Sequence, residues 1–158
     1  MNFEISTANK IIPTDIYGLS RNLILGAEVF QIDDSGRRSI GILSHKALAY
    51  LASEFASYAL HNYLPMGNKD AKGLIKMVKA HIESASTLPK DEIIKYANVL
   101  NAVIYSGYTT INNANTTSNA ISTADYAAMA APSKIVELER QGEFIVDFLK
   151  SNKALFML

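Results

Sequence analysis

From residue 44 onward, apolar residues recur at intervals of three and four, which is the spacing of one face of an α-helix. The first helix is predicted to follow Ser44, because a serine hydroxyl can accept an unpaired backbone N–H at a helix start. Its apolar face would contain Leu48, Leu51 and Phe55. The pattern stops at Pro65, so this helix is predicted to end before that residue.

Three more helices are predicted from the same spacing. The second spans residues 70–86, and the third runs from Pro89 to Gly107, where a glycine favours a helix end. Ser133 is predicted to cap the last helix, and Gly142 on its apolar face is predicted to permit the close approach of a neighbouring helix. The outer face of this last helix is mostly acidic and comprises Glu137, Glu139, Arg140, Glu143 and Asp147.

Residues 109–119 are rich in asparagine and threonine, whose side chains compete for backbone hydrogen bonds. This composition is typical of a polar loop. The small and apolar residues in the same stretch nevertheless keep a helical spacing, which predicts a closely packed fourth helix from about Ile111 to Ala131. The sequence leaves both alternatives open, although the part from Ala120 to Ala131 favours a helix more strongly.

The N-terminal part of the chain has a mixed pattern that is partly extended. Pro13 and Gly18 break any early helix. Residues 27–32 are predicted to form a strand, and residues 37–43 return as its partner after a turn at residues 33–36. A lone hairpin is only marginally stable in water, so this one would have to pack on the helices.

These elements predict a mainly α protein, with an antiparallel bundle of about five helices. An irregular or β-hairpin segment over residues 1–43 would precede the bundle, which would occupy residues 44–158. A chain of 158 residues is the size of one domain, and its 49% of hydrophobic residues are enough to build a core. Residues 1–158 are therefore predicted to be a single domain.

Charge and cysteine content exclude several classes of protein. The chain contains no cysteine, which excludes a disulfide scaffold, a thiolate zinc site and a cysteine nucleophile. Its 15 basic and 15 acidic residues give no net charge, which argues against general nucleic-acid binding and favours association. Because no apolar run reaches the length of a membrane span and no signal-peptide pattern is present, we expect a cytoplasmic protein that does not bind membranes.

The sequence contains none of the common motifs for catalysis or cofactor binding. Its three histidines share no helix at metal-ligand spacing, and its glycines form neither a dinucleotide-binding fingerprint nor a P-loop. No serine lies in a nucleophile elbow. We therefore predict no catalytic residue, no cofactor and no metal, and an enzyme would have to assemble its site from residues distant in the sequence.

Four lysines follow one face of the predicted second helix. This face is either an ordinary solvated surface or a binding surface for an acidic partner, because aligned ammonium groups raise the local potential. Aromatic residues are not interleaved with the lysines, so nucleic acid is the weaker functional interpretation. The stripe consists of Lys69, Lys72, Lys76 and Lys79.

Tyrosines are concentrated in the helical part of the chain. Tyrosine is enriched at protein interfaces because it offers a large apolar area with one polar tip. Packing at the edge of the core explains most of these tyrosines equally well. Tyr63, Tyr105 and Tyr108 lie at predicted helix ends and are the best candidates for exposed contacts with a partner protein.

The middle of the chain carries an ordered series of helix boundaries. A helix over the run 55–65 ends at its proline, the polar stretch 68–70 opens the next helix, and Pro89 begins an alanine-containing third helix. Over about residues 46–131 this order resembles an immunity-protein family found beside bacterial polymorphic toxins. The resemblance implies a cytoplasmic protein that binds and neutralises a toxin by surface complementarity, and it transfers no functional residue.

Three functions are consistent with the sequence. The first is a non-enzymatic inhibitor that binds another protein, either immunity-like or a phage-type antagonist of a host or defence protein. The second is a self-assembling structural or adaptor subunit that associates through the C-terminal helix and the apolar residues 154–158. The third is a small-ligand binder or enzyme, with a polar cleft lined by Asn112, Asn113, Asn115 and Asn119.

Overall fold

The structure is a computed structural model that describes residues 2–64, 90–111 and 113–152. Its N-terminal part contains four strands, β1 (Asn2–Thr7), β2 (Lys10–Asp15), β3 (Glu28–Asp33) and β4 (Gly36–Ile42). The strands form one sheet in the order β2-β1-β3-β4, and all neighbouring pairs are antiparallel.

Alternation of apolar and polar residues turns one face of the sheet toward the core. In β1, Phe3 and Ile5 are buried, whereas Glu4 between them belongs to the opposite face. Ile5 pairs in register with Ile12 of β2 and with Val29 of β3. Three apolar side chains therefore lie side by side across the centre of the sheet, where cross-strand contacts stabilise it.

Four α-helices follow among the described residues: α1 (His45–Asn62), α2 (Lys90–Ile111), α3 (Thr116–Ala130) and α4 (Lys134–Ser151). Short 3-10 helices lie at Ser20–Asn22 and Asn113–Asn115. Both N-caps predicted from the sequence are confirmed, because the side chain of Ser44 accepts a hydrogen bond from the N–H of Ala47 at 3.1 Å and that of Ser133 accepts one from the N–H of Val136 at 3.4 Å.

One hydrophobic core joins the sheet to the helices. Phe3 of β1, Phe55 of α1 and Ile145 of α4 are each at most 1% exposed and belong to the same cluster. Small side chains on α3 let this helix lie close to its neighbours, since they keep the backbones near each other. The fully buried alanines of α3 in this cluster are Ala120, Ala124 and Ala127.

The prediction of a mainly α, five-helix bundle is wrong. In the described part of the chain, four helices pack with a four-stranded sheet, so the fold combines α and β structure. The predicted hairpin is present as β3 and β4, but β1 and β2 extend it where the sequence indicated an irregular segment. The predicted helix at residues 70–86 lies outside the described residues.

Residues 109–119 combine the two alternatives that the sequence left open. The α2 helix continues beyond Gly107, so the prediction that this glycine ends the helix is wrong. The hydroxyl of Thr109 donates to the Ser106 carbonyl at 2.6 Å, and that of Thr110 donates to the Gly107 carbonyl at 2.7 Å. Because these bonds return to the preceding turn, the threonines stay helical, and a 3-10 helix then leads into α3.

Gly142 permits a close contact, but the neighbour is a loop rather than the predicted helix. A Cβ atom at this position would lie 2.1 Å from the carbonyl oxygen of Ile16, the residue that follows β2. The backbone at Ile16 therefore packs directly on α4. Only glycine leaves room for this contact without a shift of one of the two backbones.

Candidate functional site

A group of tyrosines lies at the surface of α2 and α3. The rings of Tyr105 and Tyr126 stack, with centroids 5.5 Å apart and an interplanar angle of 13°. Tyr108 meets Tyr105 edge to face, with centroids 5.9 Å apart. Tyr108 is 46% exposed, whereas the other two rings are half-buried, so a stacked pair supports an exposed aromatic residue.

Exposed aliphatic residues extend this group along both helices. Ile104, Tyr108 and Ile111 recur at steps of four and three on one face of α2, and Ile111 is 78% exposed. On α3, an exposed methionine follows Tyr126 by one turn. We term this surface the tyrosine face and define it as Ile104, Tyr105, Tyr108, Ile111, Tyr126 and Met129.

The tyrosine face lies largely within a part of the chain that has no charged residue. From Tyr96 to Ala124 the sequence contains no Asp, Glu, Lys, Arg or His, and many of its polar residues are Asn, Ser and Thr. An ordinary protein surface carries interspersed charges of both signs, whereas the centre of an interface is depleted in charge and enriched in tyrosine. No motif marks this run, and its only sequence signal is the missing charge.

Tyr63, the third tyrosine predicted as a contact, lies elsewhere, directly after α1. It is half-buried, and its hydroxyl donates a hydrogen bond to the carboxylate of Glu137 on α4. Arg140 donates to both oxygens of the same carboxylate, from Nε and Nη2 at 2.7 Å each. Its guanidinium carbon also lies 3.4 Å from the centre of the Tyr58 ring. These four residues and Gln141 are termed the Glu137 cluster.

The electrostatics of the Glu137 cluster indicate a structural role. The Glu137 side chain is fully buried, so its predicted place on the outer face of the last helix is wrong. Burial and the hydrogen bond to Glu137 raise the pKa of Tyr63. Burial alone would lower the pKa of Arg140, but the hydrogen bond and the charge of Glu137 outweigh it and raise that pKa. Tyr63 and Arg140 both bond to the buried carboxylate, and these bonds join the end of α1 to α4.

A cleft beside the Glu137 cluster contains Ser57 and His61, one turn apart on α1. The Nδ1 atom of His61 lies 2.7 Å from the Ser57 carbonyl oxygen and 3.4 Å from the Ser57 hydroxyl. A carbonyl oxygen only accepts, so Nδ1 carries the proton in this contact and does not serve as a base toward the hydroxyl. The pair therefore lacks the hydrogen bond from hydroxyl to base that activates a serine nucleophile.

The asparagines that were expected to line a polar cleft occupy different environments. Asn119 is 9% exposed within α3, whereas Asn115 is exposed just before that helix. Asn112 and the side chain of Asn113 lie outside the described part of the chain. The predicted lysine stripe also lies outside it, with all four of its members, Lys69, Lys72, Lys76 and Lys79.

The described part of the chain contains no further candidate for a metal site or a membrane span. Among the residues that the structure describes, no group of three His, Cys, Asp or Glu side chains is placed to hold a metal ion. Within residues 2–64, 90–111 and 113–152, no helix combines the length and the hydropathy needed to cross a membrane. Comparisons with protein-family models, with curated proteins and with solved structures gave no significant match.

Proposed function

We propose that the protein is a non-enzymatic inhibitor that binds another protein through the tyrosine face. The main support is the exposed surface of α2 and α3, where the stacked rings of Tyr105 and Tyr126 support Tyr108. The α2 part of this surface lies within the charge-free run 96–124. Two of the three tyrosines predicted as contacts lie on this face. A partner with an apolar and weakly charged patch would fit it.

The arrangement of the tyrosines lowers the cost of binding. Association costs free energy when flexible side chains become ordered at the interface. Here the ring of Tyr105 is held between those of Tyr108 and Tyr126, so few rotamers remain to be lost. The Ser, Thr and Asn residues of the same run could supply adaptable hydrogen bonds, as such residues do in antibody combining sites. Tyr108 is the exposed ring that contacts this ordered pair, so it is the expected centre of the interface.

The partner in this proposal is a toxin or a defence protein, and the place of action is the cytoplasm. Support comes from the resemblance of residues 46–131 to immunity proteins of polymorphic toxin systems, because the whole tyrosine face lies within that region. An inhibitor of this kind needs no catalytic group, since it acts by covering the active site or the binding surface of its target.

A photo-crosslinking amino acid at Tyr108, introduced in the native host, tests the proposal. We expect it to capture one partner, while the same group at Tyr17, 41% exposed on the loop after β2, does not. With the purified pair, Tyr108→Ala should weaken binding at least ten-fold, or about 1.4 kcal/mol, and reduce inhibition of the partner accordingly. Equal affinities for the Tyr108→Ala and Tyr17→Ala variants would exclude the tyrosine face as the contact.

A self-assembling subunit is the second candidate, because Ile104 and Ile111 are exposed on the same face and the chain has no net charge. The sequence predicted association through the C-terminal helix and residues 154–158, and the latter lie outside the described residues. In the present proposal the tyrosine face would instead bind a second copy of itself. Sedimentation velocity separates the two functions. A sedimentation coefficient that rises with concentration in the wild type but not in Ile104→Glu would support self-assembly, whereas a monomer at all concentrations would favour the inhibitor.

A further inference from the structure

A cleft with a volume of about 430 Å³ lies between β1, the loop after β2 and one face of α4. It shares no residue with the tyrosine face or with the Glu137 cluster. Its floor is apolar and its wall carries three charged groups on successive turns of α4. The floor contains Phe3, Ile16 and Val146, and the wall contains Glu143, Asp147 and Lys150.

Among the described residues, the carboxylates in this wall have no charged partner within 4 Å. Glu143 and Asp147 are four residues apart, so they lie on adjacent turns of the same helix face, and both are exposed. Neither of them, nor the ammonium group of Lys150, makes an ion pair within 4 Å with any residue that the structure describes. Among the described residues that line the cleft, two carboxylates outnumber one ammonium group and give the wall a net negative charge.

The contact between Gly142 and Ile16 gives the cleft a fixed shape. Because the backbone of Ile16 packs directly on α4, the apolar floor is held against the helix that carries the carboxylates. Phe3 of β1 is 1% exposed and packs in the hydrophobic core. The apolar floor is therefore preformed, and a ligand needs to order only the exposed side chains of the wall.

We propose that this cleft binds an arginine side chain of a partner protein. The methylene stem of arginine would lie against Ile16, the half-buried apolar residue of the floor, while its charged end reaches the wall. A planar guanidinium has five donors in a rigid fork, so it can bond to Glu143 and Asp147 at the same time. A lysine ammonium is more compact and more strongly hydrated, which makes it a poorer match to two carboxylates on adjacent turns.

This inference rests on the proposed function in one respect, that the arginine belongs to a partner protein. Its test needs no knowledge of the partner and uses none of the residues of the tyrosine face. Failure of the cleft to bind arginine would therefore not contradict the proposed role of the tyrosine face. Failure of Tyr108→Ala to weaken partner binding would likewise not contradict arginine binding by the cleft.

An NMR titration of the full chain with the capped tripeptide Gly-Arg-Gly tests the cleft. We expect the methyl signals of Ile16 and Val146 to shift, with binding weakened by added salt. The lysine tripeptide should bind about three-fold or more weakly, and the citrulline tripeptide, which keeps the shape without the charge, should not bind. The double variant Glu143→Gln, Asp147→Asn should weaken binding about five-fold, since each exposed charge pair contributes a small factor. Glu139→Gln, one turn earlier on α4, should bind like the wild type.

Three results would overturn the proposal. Equal binding of the citrulline tripeptide would show that the charge is not recognised. Unchanged affinity of the double variant, with a spectrum that shows it folded, would place binding elsewhere. Binding of propylguanidinium more than ten-fold tighter than that of the tripeptide would identify a site for a small cation instead of a protein side chain.

Discussion

The carboxylate of Glu137 is buried, yet three side chains donate hydrogen bonds to it. Removing a carboxylate from water costs several kcal/mol unless the charge is paired and its lone pairs are used. Arg140 supplies the opposite charge, while Tyr63 and Gln141 supply neutral donors. Gln141 also donates to the carbonyl of Ala124 at 3.0 Å, which links the cluster to α3. These groups are therefore expected to stabilise the protein only as a set.

Glu137→Ala is expected to lower the free energy of unfolding by about 2–3 kcal/mol. The variant leaves Arg140 and the hydroxyl of Tyr63 without their acceptor and opens a cavity. The loss stays below that of a fully buried ion pair because the Arg140 side chain is 24% exposed. Glu139→Ala on the same helix should change stability by less than about 0.5 kcal/mol. Urea denaturation measures both, and equal losses would contradict a special role of Glu137.

Tyr63 is expected to make the folded state sensitive to alkali. Its raised pKa means that the folded protein holds the phenolic proton more tightly than the unfolded chain, whose tyrosines have a pKa near 10. This stabilisation is complete below pH 10 and is lost as the pH rises from there toward the pKa of the folded state. Urea denaturation at pH values on both sides of 10 measures how the free energy of unfolding changes with pH.

Tyr63→Phe keeps the ring but removes the titrating group, so it should reduce the fall in unfolding free energy above pH 10. A residual slope is expected from Tyr96, because burial and the charge of Glu92 raise its pKa as well. Identical slopes in the wild type and the Tyr63→Phe variant would show that the Tyr63 hydroxyl does not contribute.

Individual buried polar residues could not be predicted from the spacing of apolar ones. Ile135, Gly142 and Ile145 of α4 share a helical spacing of seven and three, which predicts one apolar face. Ile145 is buried, whereas Ile135 is 66% exposed, and the polar residues Glu137 and Gln141 are buried. Burial of a polar side chain depends on partners from other elements, in this case Tyr63 after α1 and a carbonyl of α3. The sequence of one helix contains no information about those partners.

At the scale of elements, two glycines inside helices are expected to respond in opposite ways to alanine. Gly107→Ala adds a Cβ atom with nothing within 4 Å, so its better helix propensity should stabilise the protein by up to about 1 kcal/mol. Gly142→Ala places the Cβ 2.1 Å from the Ile16 carbonyl oxygen, and this overlap should destabilise it by about 1–3 kcal/mol. Thermal denaturation compares them, and stabilisation by both would mean that the loop moves freely away from α4.

Helices with regular spacing were predictable from the sequence, but the first two strands were not. α1 and α4 begin directly after Ser44 and Ser133, because each serine caps the helix that its apolar pattern predicts. The alternation in β1 is limited to Phe3 and Ile5, and β2 contains Pro13, which suggested a break. An edge strand bonds on one side only, so β2 accepts the proline. That pairing with β1 is a tertiary property.

At the scale of the whole molecule, the sheet and the helices share one core and are expected to unfold together. The buried face of β1 belongs to the same cluster as residues of α1, α3 and α4. The sequence predicted a helical bundle preceded by an irregular or hairpin segment that would have to pack on something. In the structure, the side chains of the first strand lie in the core of the helices, so the stability of the helices depends on them.

Phe3→Ala tests this dependence, since Phe3 is 1% exposed and lies on β1. We expect a loss of about 3–5 kcal/mol in the free energy of unfolding. Circular dichroism of the helices and tyrosine fluorescence should report one common transition at a lower urea concentration than in the wild type. The dependence of the unfolding free energy on urea concentration should be unchanged. Phe30→Ala, on the opposite face of the sheet beneath Arg37, is the control and should cost less. Helices that unfold at the wild-type urea concentration in Phe3→Ala would show that the sheet folds separately.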